Sequence, residues 1–535
     1  MKIQNQDIGL IDTNMTIRGT IIGIIGLIII TVSSLYVALK LGALPWPTVF
    51  VTILSMNLLN RMKNSTLQEV NCTHTLMSAG SMVAGGLAFT LPGLWIINPN
   101  YEISYVSVLV STLVGAILGT VFTSIYRKSF IEVKQLPYPI GEAAYKTLLT
   151  WQNKKSGLWL FPSLAFSAVF TFIRDFFGKI PTLLGIYKGN KYISPLTLYV
   201  SPMAFAIGAM IGTKLALFWA LGMIIGYLML TPIGISTGLF ESMVEADSFR
   251  SNIGLGIMIG TGLAIALKAI ITFVISLIKN KGKASISVDK TRIAELVVVL
   301  LLCMILLVAF TDVKFYECIL LFIGCAFATY LSGMLTGETG INPMEVFALI
   351  VMIAIGKIAS TSILPLFIIA IATAVAGGLS GDVMNDFKSG YLIGTPYKSQ
   401  LKAEAIGGII GAIIAASAIF VLKSAYTFGS AEMPAPQATN IAKAIGGLDN
   451  PLAFGIGIAS GVVLCLLSIP SSLIGLGMYL GTYITISVCL GALVMFIINK
   501  AFKNRTDEAN LVSAGLLGGE GFAGVIISFI KVLSV

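Results

Sequence analysis

The chain has 535 residues, of which 56% are hydrophobic and only 11% charged, and its mean hydropathy is +0.93, well outside the range of soluble globular chains. Its net charge of +10 and pI near 9.2 would suit a nucleic-acid binder in a soluble protein, but here Lys and Arg gather in short stretches between apolar runs, where they set membrane orientation. Composition therefore excludes a soluble enzyme or a nucleic-acid-binding domain and points to a polytopic protein of the lipid bilayer.

In chain order the apolar runs fall at 17–39, 43–59, 74–97, 104–126, 158–173, 194–212, 214–233, 251–278, 293–311, 315–335, 343–360, 362–380, 403–423, 451–469, 472–498 and 509–531. Each is long enough, at ~1.5 Å per residue, to approach or cross a hydrocarbon core of about 30 Å. They predict an all-α membrane bundle of about 16 helices. No segment alternates like an outer-membrane barrel strand, and no window between runs could hold a separate soluble domain. The first run is too long for a cleaved signal, lacks a small-residue cleavage site, and is expected to remain as the first helix. The expectation is one membrane transport domain over 1–535, cut by the basic stretch 279–292 into candidate halves 1–280 and 290–535. Ser78-Ala79-Gly80, echoed by Ser513-Ala514-Gly515, hints at an internal repeat.

The basic stretches 127–155 and 279–292 are expected in the cytoplasm, with 61–73 and 382–402 on the same side by parity. The acidic stretch 234–250, with Glu241, Glu245 and Asp247, then falls outside, so a multi-pass protein of the cell's inner (plasma) membrane with both termini in the cytoplasm is expected. Residues 174–191 and 500–505 are basic on the outer side and break the pattern. Pro470-Ser471-Ser472 and Gly481-Thr482 interrupt 451–498 and predict a broken or re-entrant helix. Glycine pairs four apart, such as Gly115/Gly119, Gly208/Gly212, Gly222/Gly226, Gly256/Gly260, Gly407/Gly411 and Gly457/Gly461, predict close helix packing.

Soluble-enzyme motifs fail in this context. Gly234-Ile235-Ser236-Thr237-Gly238 matches a nucleophile elbow, but no strand precedes it and it is expected to be a loop. Gly519 to Gly524 matches GxGxxG without a βαβ unit, and no GxxxxGK[ST] phosphate loop occurs. The six cysteines form no CxxC pair and are expected to act as small hydrophobes, so neither a metal site, a cofactor nor a catalytic residue is expected.

Charge instead concentrates in Gly381 to Gln400, between two long apolar runs. An ionisable group at bilayer depth costs about 3 kcal/mol on insertion scales and most often marks a polar pathway. Asp382 and Asp386 are four apart, so a helix would place them on one face, where like charges favour proton uptake. The plainer alternative is a cytoplasmic helix end with Asp386 capping and Lys388 paired to it. Lys388 and Lys398 could attract a cargo carboxylate or merely obey the positive-inside bias, and Lys402 fits the bias better. Glu338 and Glu345 flank Asn342-Pro343, where a break between half-helices would expose N–H and C=O groups. Glu520 sits between two glycines within the last apolar run, and a pathway role is expected for it. Tyr138 and Tyr391 are candidate cargo contacts or interfacial rings. His74, the only histidine, is a candidate proton relay or an interfacial residue at the start of its span.

Asp386-Phe387-Lys388-Ser389-Gly390-Tyr391-Leu392-Ile393-Gly394 resembles the DFKTGYLLG stretch of the oligopeptide transporter (OPT) superfamily. Further pieces resemble the same family in the same order: Asn71 to Gly80 with Phe89-Thr90-Leu91-Pro92, Leu136-Pro137-Tyr138-Pro139 with Gly141, Arg250 to Gly256, Gly337 to Glu345, and Ala514 to Gly521. The chain departs from the family in having Ile140 after Pro139, with Glu142 following, and Ser81 after Gly80. The resemblance implies about sixteen helices and secondary active import of small peptides, or of metal–chelate complexes, commonly driven by protons. Gln400, closing the charged segment, joins the candidate contacts. A membrane-embedded enzyme and a passive channel are the readings outside transport, and a homodimer is a candidate assembly.

Overall fold

The structure, a computed structural model, describes residues 15–42, 44, 47–60, 62, 64–149, 157–190, 192–279, 290–340, 342–446, 450–502 and 505–533; the side chains of some helical residues, Glu338 among them, lie outside that description. The first half of the chain forms α1 (Ile17–Leu41), α2 (Pro47–Leu59), α3 (Leu67–Thr90), α4 (Pro92–Ile97), α5 (Tyr105–Arg127), α6 (Pro139–Leu149), α7 (Gly157–Thr171), α8 (Pro202–Met223), α9 (Thr231–Ser236) and α10 (Met243–Lys279). The second half forms α11 (Lys290–Phe310), α12 (Phe315–Thr339), α13 (Met344–Ala359), α14 (Ile363–Ile393), α15 (Tyr397–Ala425), α16 (Pro436–Gly446), α17 (Pro451–Leu466), α18 (Ser471–Tyr479), α19 (Thr482–Ala501) and α20 (Thr506–Leu533). π-helical turns prolong α5 through Lys128–Val133, α7 through Phe172–Phe176 and α8 through Ile224–Leu230. One hairpin, β1 (Leu183–Tyr187) against antiparallel β2 (Leu196–Tyr199), breaks the helical pattern.

The bundle is all-helical and polytopic as composition predicts. Among the described residues nine helical stretches are at least 18 residues long and apolar enough to cross a membrane, and Ala294–Phe310 and Pro451–Leu466 are shorter apolar helices. Several predicted boundaries are corrected. The run 194–212 opens with β2, and its helix starts only at Pro202, where Ser201 caps the first turn by accepting from the Ala204 N–H. The run 472–498 divides into α18 and α19 at the expected break, Gly481-Thr482, and Pro470 separates α17 from α18. The expected loop at Gly234–Gly238 is largely the end of α9. Stretch 382–402 is no cytoplasmic loop: α14 continues unbroken to Ile393 and α15 starts at Tyr397. The reason is physical, since helical propagation satisfies each backbone group within the segment whatever the side chain, and hydropathy cannot mark where it stops.

α14 is the axis of the molecule. Every residue from Pro365 to Phe387 is buried, and α3, α5, α6, α12, α13 and α15 pack around it. Helices of the two candidate halves interleave: α7 lies on α20, α8 on α19, α10 on α17, and α5 on α14. Glycine makes these contacts possible. A Cβ on Gly115 would sit 2.6 Å from the Ala372 carbonyl oxygen of α14, and one on Gly260 would sit 2.2 Å from the Ile458 carbonyl oxygen of α17. Gly407 and Gly411 bring α15 onto α3 with the same intimacy, their added Cβ atoms falling 2.6 Å from the Leu76 oxygen and 2.8 Å from the Gly80 Cα. Gly212, by contrast, meets nothing within 4 Å and holds φ +80° at a kink inside α8. Gly411→Val is therefore expected to push α15 off α3 and lower stability by about 1–3 kcal/mol, seen as a reduced Tm in detergent unfolding.

Candidate functional site

α14 has 31 residues and is roughly 46 Å long at ~1.5 Å per residue, and Asp382 lies within its buried length, about three turns before its C-terminal end. At that depth several helices end. α1 closes on Gly42 at φ +66° and α12 on Gly340 at φ +76°, both in the left-handed conformation that glycine adopts freely. α6, α13 and α16 begin there, at Pro139, Met344 and Pro436. These ends surround a cavity of about 180 Å³ whose polar lining is Thr336, Asn342, Glu345, Asp382, Asn385 and Gln437, with Met82, Phe89, Ile140 and Met344 among its apolar walls. The break between α12 and α13 is the one expected around Asn342-Pro343. Asn342 pins it to α14, donating from Nδ2 to the Gly377 and Gly378 carbonyls at 3.1 and 3.0 Å and accepting from Ser332.

One turn beyond Asp382, Asp386 enters a second polar layer, in the helix interfaces and fully buried. Its Oδ2 accepts from Ser78 Oγ of α3 at 2.8 Å, and its Oδ1 faces His74 Nε2 at 3.7 Å. Gln400 of α15 donates from Nε2 to the Asp386 carbonyl at 2.7 Å and to Thr75 Oγ1 at 3.3 Å, while Ser389 and Asn71 join at 3.2 Å. Glu404, one turn after Gln400, is also fully buried and faces both Asp386 and Asp382. Among the described residues neither Glu404 oxygen receives a hydrogen bond, and neither does Asp386 Oδ1.

The predicted residues thus divide. Asp382, Asp386, His74 and Gln400 converge across α3, α14 and α15, and Asn342 and Glu345 join Asp382 at the cavity. His74 is not interfacial: α3 begins at Leu67, two turns earlier, and buries the ring completely. The Lys388–Asp386 pair of the plainer alternative does not form, because Lys388 Nζ turns to the Leu136 carbonyl at 2.8 Å. Lys398 and Lys402 are exposed and Tyr391 is 42% exposed, all away from the cavity. Tyr138 is buried at φ +48°, its hydroxyl committed to the Gly333 carbonyl at 2.9 Å and its N–H to Gly337 O at 2.9 Å. Glu142 is half-buried in the first turn of α6, beside Gly141, whose N–H meets Asn385 Oδ1 at 3.1 Å. The Glu338 side chain lies outside the described residues.

Glu404 escaped the sequence reading, although its four-residue spacing from Gln400 marks a shared helix face with it. Glu520, expected on the pathway, lies outside the lining of that cavity and is held by Arg174 Nη2 at 2.9 Å, Ser201 Oγ at 2.9 Å and the Met203 N–H at 2.8 Å, with Tyr199 Oη at 3.4 Å. Arg174 stands on the π-turn after α7, is itself buried, and also grips Asp175 through two contacts of 2.6 and 2.7 Å.

A family model described as OPT oligopeptide transporter protein matches residues 14–531. A Haemophilus influenzae protein whose name assigns it provisionally to oligopeptide transport is 24% identical over 94% of this chain and 93% of its own length. A metal-nicotianamine transporter of Arabidopsis thaliana is 31% identical over 27% of this chain and 25% of its own.

The Arg174–Glu520 clamp fastens α7, α8 and α20 in the oily interior, where a lone charge is worth far less than a paired one. Arg174→Ala would strand the Glu520 carboxylate and is expected to cost about 3–5 kcal/mol, whereas Arg174→Met with Glu520→Leu should cost much less, a contrast readable in Tm.

Proposed function

This chain belongs to the OPT oligopeptide transporter family and is a multi-pass membrane transporter; on that premise we propose that it imports small peptides or peptide-like solutes by alternating access, coupled to protons, with the cavity around Asp382 as the cargo site. The carrying observation is the meeting of broken helix ends with the buried Asp382 and the half-buried Glu345 at one cavity. That arrangement suits a zwitterion. Asp382 and Glu345 would meet a peptide's ammonium group, aided by the carbonyl ends of α1 and α12, and the N–H ends of α13 and α16 would meet its carboxylate. Asn342, Asn385 and Gln437 are placed to hydrogen-bond peptide amides.

The volume of about 180 Å³ is below the roughly 300–1,000 Å³ of ordinary small-molecule sites, so cargo must enter a wider state than this one. Such a cycle is what rocking one group of helices against another about a fixed site provides. Protons suit the coupling because Asp386 and His74 lie one turn from the cargo site, out of solvent and able to change charge. The ends of α5, α14 and the start of α15 carry Arg127, Lys128, Lys388, Lys398 and Lys402, so the positive-inside bias assigns that end of the bundle, where α1 and α3 begin, to the cytoplasm. α20 runs in the same direction as α1, with Gly521 at Ser33 and Gly524 at Tyr36, which sets its far end on the other side and departs from the expectation of two cytoplasmic termini. A metal–chelate cargo is the second reading, favoured by the stretch similar to the metal-nicotianamine transporter. The carboxylates at the cavity suit an ammonium better than an anionic complex, which puts peptides first.

Purified protein in liposomes is expected to accumulate labelled di- to pentapeptides under an inward proton gradient, with ferric and nickel chelates competing weakly. Absence of gradient-stimulated uptake for every peptide length would reject the peptide reading, and chelate uptake in its place would favour the second. Asp382→Asn should cut peptide uptake at least about tenfold by removing the partner of a desolvated ammonium.

A further inference from the structure

We propose that the coupling proton is held between the carboxyl groups of Asp386 and Glu404, in one shared hydrogen bond buried where α14 meets α15, and that Asp382 links it to the cargo cavity one turn away. The proposal rests on the transport reading above and names the residues that would carry its coupling step.

The hydrogen-bond inventory leads to it. Ser78 satisfies Asp386 Oδ2, but Oδ1 and both oxygens of Glu404 meet no donor among the described residues. The two carboxyl groups face each other at full burial. As carboxylates both can only accept, so their contact is repulsive and unsolvated. One proton converts the same contact into an O–H···O⁻ bond, the short charge-assisted kind, and satisfies both partners. No Lys or Arg meets either group among the described residues, and Lys388, two residues beyond Asp386, is held at the Leu136 carbonyl. The groups that do face the pair are His74 from α3 and Asp382 from α14, while α5 brings Arg127, whose guanidinium lies over the Phe387 and Tyr397 rings at 5.9 and 5.0 Å and is paired with Glu132.

Coupling follows from charge. Asp382, Asp386 and Glu404 share one negative field in a region buried from bulk solvent, so a proton on the pair and an ammonium group at Asp382 each relieve it. A proton arriving by way of His74, whose Nε2 lies 3.7 Å from Asp386 Oδ1, would occupy the pair on one side of the membrane and leave from it on the other. Nothing else is made or broken in that step. The shared bond also ties α15 to α14 beside the Gln400–Asp386 contact, so losing the proton loosens the interface that a rocking motion would shear.

Infrared spectroscopy of the protein in bilayers reads the pair without any cargo. Wild type is expected to show the C=O stretch of a protonated, deuterium-sensitive carboxylic acid at neutral pH, and both Glu404→Gln and Asp386→Asn to lose it while keeping a wild-type Tm; Glu404→Asp should retain it. In liposomes, with the peptide that wild type accumulates best, the ratio of gradient-driven uptake to gradient-free counterflow should fall about tenfold in Glu404→Gln. Persistence of the band in both variants, an unchanged ratio, or coupling of the wild type to sodium in place of protons would each overturn the proposal. Failure of wild type to move any peptide would reject the transport reading, and the infrared band would still decide the shared proton.

Discussion

A group that needs a hydrogen bond or a counter-charge must find it inside the protein when the solvent is hydrocarbon. α14 makes that constraint acute. It is buried from Pro365 to Phe387 and carries Asp382, Asn385 and Asp386 within its buried length. Each must be met by a neighbour close enough to touch, and closeness depends on residues without side chains. Gly407 and Gly411 seat α15 on α3, Gly115 and Gly119 seat α5 on α14, and only then can Ser78, Gln400 and Glu404 reach one layer. The glycines and the charges of this chain are two halves of one solution.

The two buried acidic centres show how that solution is tuned. Glu520 receives a guanidinium, a hydroxyl and a backbone N–H at the start of α8, and its charge is fully accommodated. Asp386 and Glu404 are buried just as deeply, and among the described residues they have only the Ser78 and Thr75 hydroxyls and an imidazole alongside. The same residue type is therefore a fastener in one place and a group ready to change protonation in the other. The supply of donors, not the depth of burial, separates them.

Helix breaks serve the cavity in a related way. The αL closures at Gly42 and Gly340, the turn at Asn342-Pro343 and the positive φ of Tyr138 all bring chain ends to one place. In lipid such ends would be intolerable. Around a polar cavity their free N–H and C=O groups become the lining, which is why Asn342 and Tyr138 spend their own polar atoms bracing α12 and α14 and leave the space to others.

Hydropathy alone determined that this is a helical membrane bundle, because apolar length converts directly into a span, and the Asp386-Phe387-Lys388-Ser389-Gly390-Tyr391 stretch alone marked its family. The four-residue spacing of Asp382 and Asp386 carried their shared face, since helical period is a local property. What charge would meet charge was not local. Lys388 is two residues from Asp386 yet turns to Leu136, while His74, more than three hundred positions away, faces it. Glu520 and Glu404 look alike in the chain, each in an apolar helix with glycines nearby, and only the helices packed against them made the first a clamped ion pair and the second a carboxyl that meets no donor among the described residues. Those outcomes belonged to the tertiary structure because desolvation and hydrogen bonding depend on which surfaces meet, and that is settled by packing between segments distant in sequence.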